Sequence, residues 1–168
     1  MAVEQLSQRQ NFPSFFTVAL IEPEIPSNTG NIGRTCVASQ SQLDLIGPLG
    51  FQITDKQLKR AGLDYWPFLK YQYYDNLTDW LQQKDLRKIW FFSVRGENSL
   101  YNCSIRKGDI LAFGKETKGL PQPLLRKFKK QTVQIPFQGP VRSLNLSNAV
   151  AIALFEALRK NSIASTSR

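Results

Sequence analysis

Three short stretches in the last third of the chain decide the fold: GKETKGLP (residues 114–121), QIPF (134–137) and RSLNLSNAVAIALFEALRK (142–160). The first two stand where predicted strands end in loops rich in Gly and Pro. The third opens with four polar residues: Ser143, Asn145, Ser147 and Asn148. One helix cap needs one or two such residues, so capping alone does not account for four. Because strand ends that converge on a polar helix entrance bind ligands in open α/β sheets, the pattern predicts a small-molecule pocket.

Upstream of these stretches, apolar runs typical of strands alternate with helical patterns. Strands are predicted at residues 15–21, 42–47, 68–74, 88–94, 109–114 and 131–136. Helices are predicted at residues 32–39, 55–60, 77–83, 121–127 and 146–160. Strands separated by helices favour an α/β fold with a mainly parallel sheet flanked by helices.

The length of 168 residues favours one domain, which we place at residues 14–160. Both ends of the chain are polar, so residues 1–13 and 161–168 are predicted to be loose tails. The last helix carries Leu146, Val150, Ala153, Leu154 and Ala157 at helical spacing, which predicts that this face packs into the core.

Composition excludes several kinds of chemistry. The chain has no His, so triads built on His and zinc sites that need an imidazole are excluded, and no metal site is predicted. Cys36 and Cys103 lie far apart in no CxxC pattern, which suits a reducing cytoplasm. No apolar run approaches the roughly 18 residues of a spanning helix, so we expect a soluble cytoplasmic protein without a membrane partner.

The net charge of +9 suggests a polyanionic partner. Basic residues recur along the chain with aromatic residues such as Tyr65, Trp66 and Tyr71 among them. Neutralisation of phosphates together with stacking rings is what RNA binding uses. A basic surface without a specific partner is the alternative that composition leaves open.

The stretch EPEIPSNTGNIGRTC (residues 22–36) leaves the first predicted strand. We expect Asn28, Gly30 and Gly33 in a strand-to-helix turn whose exposed amides suit a phosphate, followed by a short helix with Arg34. Arg34 then reaches the same phosphate. A simple tight turn and an exposed helix charge are the competing interpretations.

Gly114 directly follows a predicted buried strand, and Glu116 comes two residues later. A glycine there would let an adenine or ribose lie against the main chain. Glu116 would accept hydrogen bonds or orient Arg34, although a loop glutamate is more often solvated.

In this order and at these distances, three stretches resemble the signature motifs of the SPOUT class of S-adenosylmethionine-dependent RNA methyltransferases: NTGNIGR (residues 28–34), LAFGKETKGLP (111–121) and IPFQGPVRSLNLSNAVAIALFEALRK (135–160). The likeness spans residues 15–160. A further stretch, GFQITDKQLKRAGLDYW (50–66), resembles the minimal branch that methylates the ribose 2′-hydroxyl of the wobble nucleotide, cytidine or uridine 34, in the anticodon loop of tRNA.

The resemblance implies a deep trefoil knot at the C-terminal end of the α/β domain, and a homodimer with active sites at the subunit interface. It implies that S-adenosyl-L-methionine binds among five residues: Phe92, Gly114, Ile135, Ser143 and Leu144. It also implies a catalytic set of five residues: Asn28, Arg34, Glu116, Ser143 and Asn145. The product of the cofactor would be S-adenosyl-L-homocysteine.

The resemblance makes Arg34 the candidate for activating the ribose hydroxyl. A guanidinium is effectively always protonated. We therefore expect Arg34 to anchor phosphate and to stabilise the developing alkoxide, rather than to act as a base. Other readings stay open: 2′-O-methylation of another tRNA or rRNA ribose, a noncatalytic RNA-binding protein of the same fold, and a flavodoxin-like nucleotide-binding protein, which leaves the three motifs unexplained.

Overall fold

The structure is a computed structural model that describes residues 14–52 and 65–163. The predicted N-terminal tail and the predicted helix at residues 55–60 lie outside the described residues, as does most of the stretch 50–66.

The described chain forms a single sheet with helices between its strands. The strands are β1 (Thr17–Ile21), β2 (Gln42–Ile46), β3 (Tyr71–Tyr74), β4 (Ile89–Phe92), β5 (Asn98–Ser99), β6 (Ile110–Phe113) and β7 (Thr132–Gln134). The α-helices are α1 (Pro26–Ala38), α2 (Leu77–Gln82), α3 (Gln122–Lys127) and α4 (Leu146–Ile163). Short 3₁₀ turns lie at Trp66–Phe68, Leu86–Lys88, Leu100–Asn102 and Lys129–Gln131.

The strand order across the sheet is β3-β2-β1-β6-β4-β7-β5, and the pairings among these described strands are parallel. Strands β6 and β7, late in the chain, insert beside β1 and β4. Because the carboxyl ends of parallel strands meet at one edge, the loops after β1, β4, β6 and β7 converge there. The predicted mainly parallel α/β architecture is therefore confirmed.

All six predicted strands are present, each shorter than predicted. Strand β5 was missed because Asn98–Ser99 has only two residues and no apolar run. The predicted start of the first helix was wrong, since α1 begins at Pro26 and not near residue 32. Proline suits the first turn of a helix because its missing N–H has no partner to lose there.

The glycines of α1 therefore lie within a helix and not in the expected turn. A Cβ on Gly33 would lie 3.1 Å from Leu69 Cδ2 and 3.3 Å from Tyr65 Cε2, so the glycine allows residues 65–69 to pack closely on α1. The amides of Gly30 and Gly33 are inside the helix, where the backbone ladder uses them. The expected phosphate-binding turn is thus not formed.

The core has two layers, one on each face of the sheet. Val150, Ala153, Leu154 and Ala157 of α4 are fully buried in the layer that α1 shares, as the spacing predicted. Helix α4 continues to Ile163, so the predicted boundary of the C-terminal tail at residue 160 was three residues early. Asn161 anchors that last turn, because its Nδ2 donates to the carbonyl of Ile105 at 3.0 Å.

A buried carboxylate joins β2 to the core layer that contains Trp80. Asp44 is fully buried, and it accepts hydrogen bonds from Trp80 Nε1 at 2.9 Å and Gln42 Nε2 at 2.8 Å. Lys84 Nζ lies 2.8 Å from Asp44 Oδ2. A buried charge is tolerated when it is paired and hydrogen-bonded in this way. No helix in the ranges 14–52 and 65–163 is both long and apolar enough to cross a membrane.

We predict that Asp44→Ala lowers the free energy of unfolding by about 3 kcal/mol, because it leaves the Lys84 ammonium and the Trp80 indole without their buried acceptor. Urea unfolding followed by tryptophan fluorescence measures this change. Arg87→Ala is the control, since Arg87 pairs with Asp85 on the surface and its loss should leave the unfolding midpoint nearly unchanged. An Asp44→Ala protein as stable as the wild type would contradict the structural role of this carboxylate.

Candidate functional site

The carboxyl edge of the sheet brings together loops from distant parts of the chain. Residues 22–25 follow β1, residues 93–97 follow β4, residues 114–121 follow β6, and residues 135–145 follow β7. Helices α1 and α4 begin at this same edge. The edge is therefore where the three sequence motifs meet.

Glu116 binds the start of α1. Its Oε2 accepts a hydrogen bond from the backbone N–H of Glu24 at 2.8 Å, and its Oε1 accepts from the N–H of Ile25 and from Nδ2 of Asn28, both at 3.1 Å. The sequence predicted that Glu116 either accepts hydrogen bonds or orients Arg34. The structure has the first of these, and the side chain that Glu116 orients is Asn28.

Asn28 passes the contact on to α4. It is 5% exposed, and its Oδ1 accepts from Asn145 Nδ2 at 3.1 Å. Asn145 Oδ1 in turn accepts from the backbone N–H of Ser147 at 2.9 Å, from the Ser147 hydroxyl at 2.7 Å and from the N–H of Asn148 at 3.4 Å. Asn145 therefore caps α4, with Ser147 and Asn148 as part of the cap. One chain of hydrogen bonds, Glu116–Asn28–Asn145, joins the three motifs.

The Glu116 carboxylate fixes the direction of the hydrogen bonds in this network. An ionised carboxylate only accepts hydrogen bonds, so the amide nitrogen of Asn28 must face it. The Asn28 oxygen then faces the amide nitrogen of Asn145, and the Asn145 oxygen faces the N–H groups at the start of α4. Each amide thus has one orientation that satisfies all its partners.

Arg34 lies on the exposed side of α1, with its Cζ 4.9 Å from the centre of the Tyr65 ring. The Tyr65 hydroxyl donates to the carbonyl of Gly30, which fixes the ring beneath the guanidinium. Six residues of helix separate Arg34 from Asn28, which turns their side chains about 120° apart around the axis. The sequence predicts Tyr65 only as an aromatic residue among basic ones, so its contact with the Arg34 guanidinium is a finding of the structure.

The predicted cofactor residues surround the same edge. Phe92, 7% exposed, stacks on Phe113 with ring centres 4.6 Å apart. Ile135 and Leu144 are half-buried, whereas Ser143 is exposed. Phe92 belongs to the buried apolar cluster against which Ile135 packs, and the exposed loop that contains Ser143 follows Ile135 in sequence.

From sequence, Gly114 is predicted to allow close approach of a ligand, and the structure gives a further reason, within the chain itself, for a glycine at this position. A Cβ at Gly114 would lie 2.1 Å from the carbonyl carbon of Gly119 and 2.3 Å from the nitrogen of Leu120. The loop after β6 therefore folds back onto its own strand end. Gly96, which the sequence analysis missed, is a second such place, because a Cβ there would lie 2.2 Å from the carbonyl carbon of Val133.

Two further residues of the site were missed, Glu24 and Thr117. The Glu24 carboxylate accepts from the backbone N–H of Thr117 at 3.1 Å and from its hydroxyl at 2.8 Å. These hydrogen bonds from Thr117 lower the pKa of Glu24. A capping-type pair that bridges two distant loops leaves no signal in local sequence spacing.

The thiols are unsuited to catalysis. Burial raises the pKa of the Cys36 thiol far above its usual range, and burial is also the main cause of the raised pKa of Cys103. Thiolate nucleophiles need a lowered pKa. Among the described residues, no group of three or more His, Cys, Asp or Glu side chains is arranged to hold a metal ion. The polar groups placed at this edge include the amides of Asn28 and Asn145, the Glu116 carboxylate and main-chain groups.

The chain is similar to known proteins along most of its length. Residues 16–155 match the model of the SpoU rRNA Methylase family. A tRNA (cytidine(34)-2′-O)-methyltransferase of Saccharophagus degradans is 42% identical over 146 residues, which cover 86% of this chain and 95% of that protein.

Solved structures share the fold. A structure determined to study the 2-OH methylation of C/U34 on tRNA is 46% identical, covers 89% of this chain and 97% of that one, and has a TM-score of 0.82. An AdoMet-bound rRNA methyltransferase of Sinorhizobium meliloti is 26% identical, covers 90% of this chain and 59% of that one, and has a TM-score of 0.75. The family match spans most of the chain and the network Glu116–Asn28–Asn145 joins its three motifs, so the chain belongs to the SpoU methylase family.

Proposed function

We propose that the protein transfers a methyl group from S-adenosyl-L-methionine to the ribose 2′-hydroxyl of nucleotide 34, cytidine or uridine, in the anticodon loop of tRNA. The observation that carries the proposal is the Glu116–Asn28–Asn145 network at the carboxyl edge. It is supported by the relative named for this reaction, which is 42% identical over most of both chains.

S-adenosyl-L-methionine supplies an electrophilic methyl group when it is bound and leaves as S-adenosyl-L-homocysteine. Phe92, Gly114, Ile135, Ser143 and Leu144 would hold it, since they lie on the loops after β4, β6 and β7. The apolar surface of Phe92 and Ile135 suits the adenine ring, and main-chain groups of residues 135–145 suit its polar edge and the ribose.

The remaining residues of the catalytic set act on the ribose and its phosphates. Arg34 anchors an RNA phosphate and stabilises charge on the attacking oxygen as its proton is lost. The ring of Tyr65 beneath the guanidinium limits the positions that Arg34 adopts. Asn28 and Asn145 hold the starts of α1 and α4 at a fixed distance, with Glu116 behind them, and Ser143 faces solvent where a ribose would enter. Alignment of the ribose 2′-oxygen with the methyl group is the main requirement for a direct displacement.

We also propose a knotted topology for the chain and a dimeric assembly. The segments through residues 114–121 and 135–145 form a deep trefoil knot, and two copies of the chain form a homodimer with the active sites at their interface. Exposed apolar side chains on α4 suit such an interface, because Ile152 is 40% exposed and Phe155 is 52% exposed. We place the protein in the cytoplasm, where tRNA is its partner.

We predict that the purified protein transfers labelled methyl from S-adenosyl-L-methionine to tRNA from cells that lack it. Nucleoside and position mapping should find the label at the 2′-oxygen of nucleotide 34. Label at another ribose of tRNA or rRNA would keep the reaction and overturn the substrate. RNA binding with neither label nor cofactor binding would favour a noncatalytic protein of this fold.

We further predict that Arg34→Ala reduces the transfer rate by about 10²-fold or more, because it removes charge stabilisation in the transition state. The affinity for S-adenosyl-L-homocysteine, measured by calorimetry, should change by less than about twofold, because Arg34 contacts RNA and not the cofactor. Arg87→Ala is the matched control, since Arg87 is an exposed arginine paired with Asp85 just before β4, at the opposite edge of the sheet from the site. Unchanged turnover of Arg34→Ala would remove this residue from the mechanism.

A further inference from the structure

We propose that Glu24 and Thr117 are positioning residues that lock the loop after β6 to the start of α1, so that cofactor binding on that loop fixes the helix that carries Asn28 and Arg34. We call this pair of residues the Glu24–Thr117 lock. The inference rests on the proposed function, because it assumes that the loop at 114–121 contacts S-adenosyl-L-methionine.

Each of the two loops both donates hydrogen bonds to the other and accepts hydrogen bonds from it. The backbone N–H of Glu24 donates to the Glu116 carboxylate at 2.8 Å. In return, the Glu24 carboxylate accepts from the backbone N–H of Thr117 at 3.1 Å, and from its hydroxyl at 2.8 Å to one oxygen and 3.1 Å to the other. Two consecutive residues of one loop, Glu116 and Thr117, therefore bind the backbone N–H and the carboxylate of Glu24, which lies 92 and 93 positions earlier in the sequence.

Glu24 is also fixed from the opposite side. The N–H of Gly50 donates to the carbonyl of Pro23 at 2.9 Å. A Cβ on Gly50 would lie 2.8 Å from the Cα of Glu24, so the loop after β2 lies directly against this residue. A second contact between the locked loops is the ion pair of Lys115 with Glu22. Glu24 thus cannot shift without moving the loop after β6.

The exposure of the lock argues for positioning and against a role in stability. Thr117 is exposed and Glu24 is only half-buried. Exposed polar pairs contribute little to the free energy of unfolding. The hydrogen bonds from Thr117 lower the pKa of Glu24, so the carboxylate stays ionised above its unfolded-state pKa. The lock is lost only as the pH falls through the lowered value, well below neutral pH.

The geometry gives a route from cofactor to catalytic helix. Glu24 lies two residues before Pro26, the first residue of α1. Asn28 follows within the first turn, and its Nδ2 is held by Glu116 from the same loop as Thr117. A loop ordered by the cofactor therefore orders the first turn of α1, and a loop with the lock removed loses that coupling.

The experiment uses the full chain with Thr117→Val, Glu24→Ala and the double variant. Thr117→Ser, which keeps the hydroxyl donor, is the conservative variant. Asp85→Asn is the matched control, because Asp85 also has a pKa lowered by a hydrogen-bonded partner, Arg87, but that partner is two residues away and outside the site. Hydrogen exchange is measured at the amides of residues 24–30, with and without S-adenosyl-L-homocysteine.

We expect S-adenosyl-L-homocysteine to slow exchange at residues 24–30 in the wild type, in Thr117→Ser and in Asp85→Asn. Thr117→Val and Glu24→Ala should lose most of this slowing while their melting temperatures stay nearly unchanged. Their kcat should fall about tenfold, with the affinity for S-adenosyl-L-homocysteine within about twofold of the wild type. The double variant should be no worse than the poorer single variant, because both changes remove one lock.

Slowing that persists in both single variants would overturn the proposal, as would kcat losses that add in the double variant. The exchange measurement contains no RNA. A wild-type protein that methylates another nucleotide, or none, would therefore refute the proposed function while the exchange result still decides on the lock.

Discussion

The hydrogen bond between Asn28 and Glu116 is the interaction on which the rest of the site depends. Glu116 can only accept, so it fixes the amide of Asn28, and Asn28 then fixes the amide of Asn145. The two ends of an amide side chain donate to one partner and accept from another. Because Asn28 is 5% exposed, water does not replace a lost partner easily. The positions of α1, the loop after β6 and the cap of α4 follow from this one residue.

The parallel sheet makes that contact possible. Asn28 lies 88 positions before Glu116 and 117 positions before Asn145 in the sequence. Each of the three residues nevertheless follows the carboxyl end of a strand. The insertion of β6 beside β1 and of β7 beside β4 brings those strand ends to one edge. Close approaches at Gly96 and Gly114 then let the loops pack on neighbouring backbone. The chemistry of the site is thus a consequence of strand order.

Much of the fold could be predicted from the sequence, since alternating apolar runs are local signals. The six longer strands and the apolar face of α4 followed from periodicity, and Glu116, Asn28 and Asn145 from motif resemblance. The predicted start of α1 was wrong because glycines such as Gly30 and Gly33 are typical of turns, whereas the helix begins at Pro26 and Gly33 lies inside it against Leu69. The partners of Gly114, Glu24 and Thr117 could not be predicted, because long-range contacts between loops leave no periodic pattern.

A double-mutant cycle between Asn28→Ala and Asn145→Ala tests most directly whether the three motifs act as one unit. Methyl transfer to tRNA and affinity for S-adenosyl-L-homocysteine are measured for both single variants and for the double variant. If the network works as a unit, the double variant loses no more activity than the poorer single variant, since either change breaks the same chain of contacts. Losses that multiply in the double variant would mean that the two amides act independently, which would contradict this account.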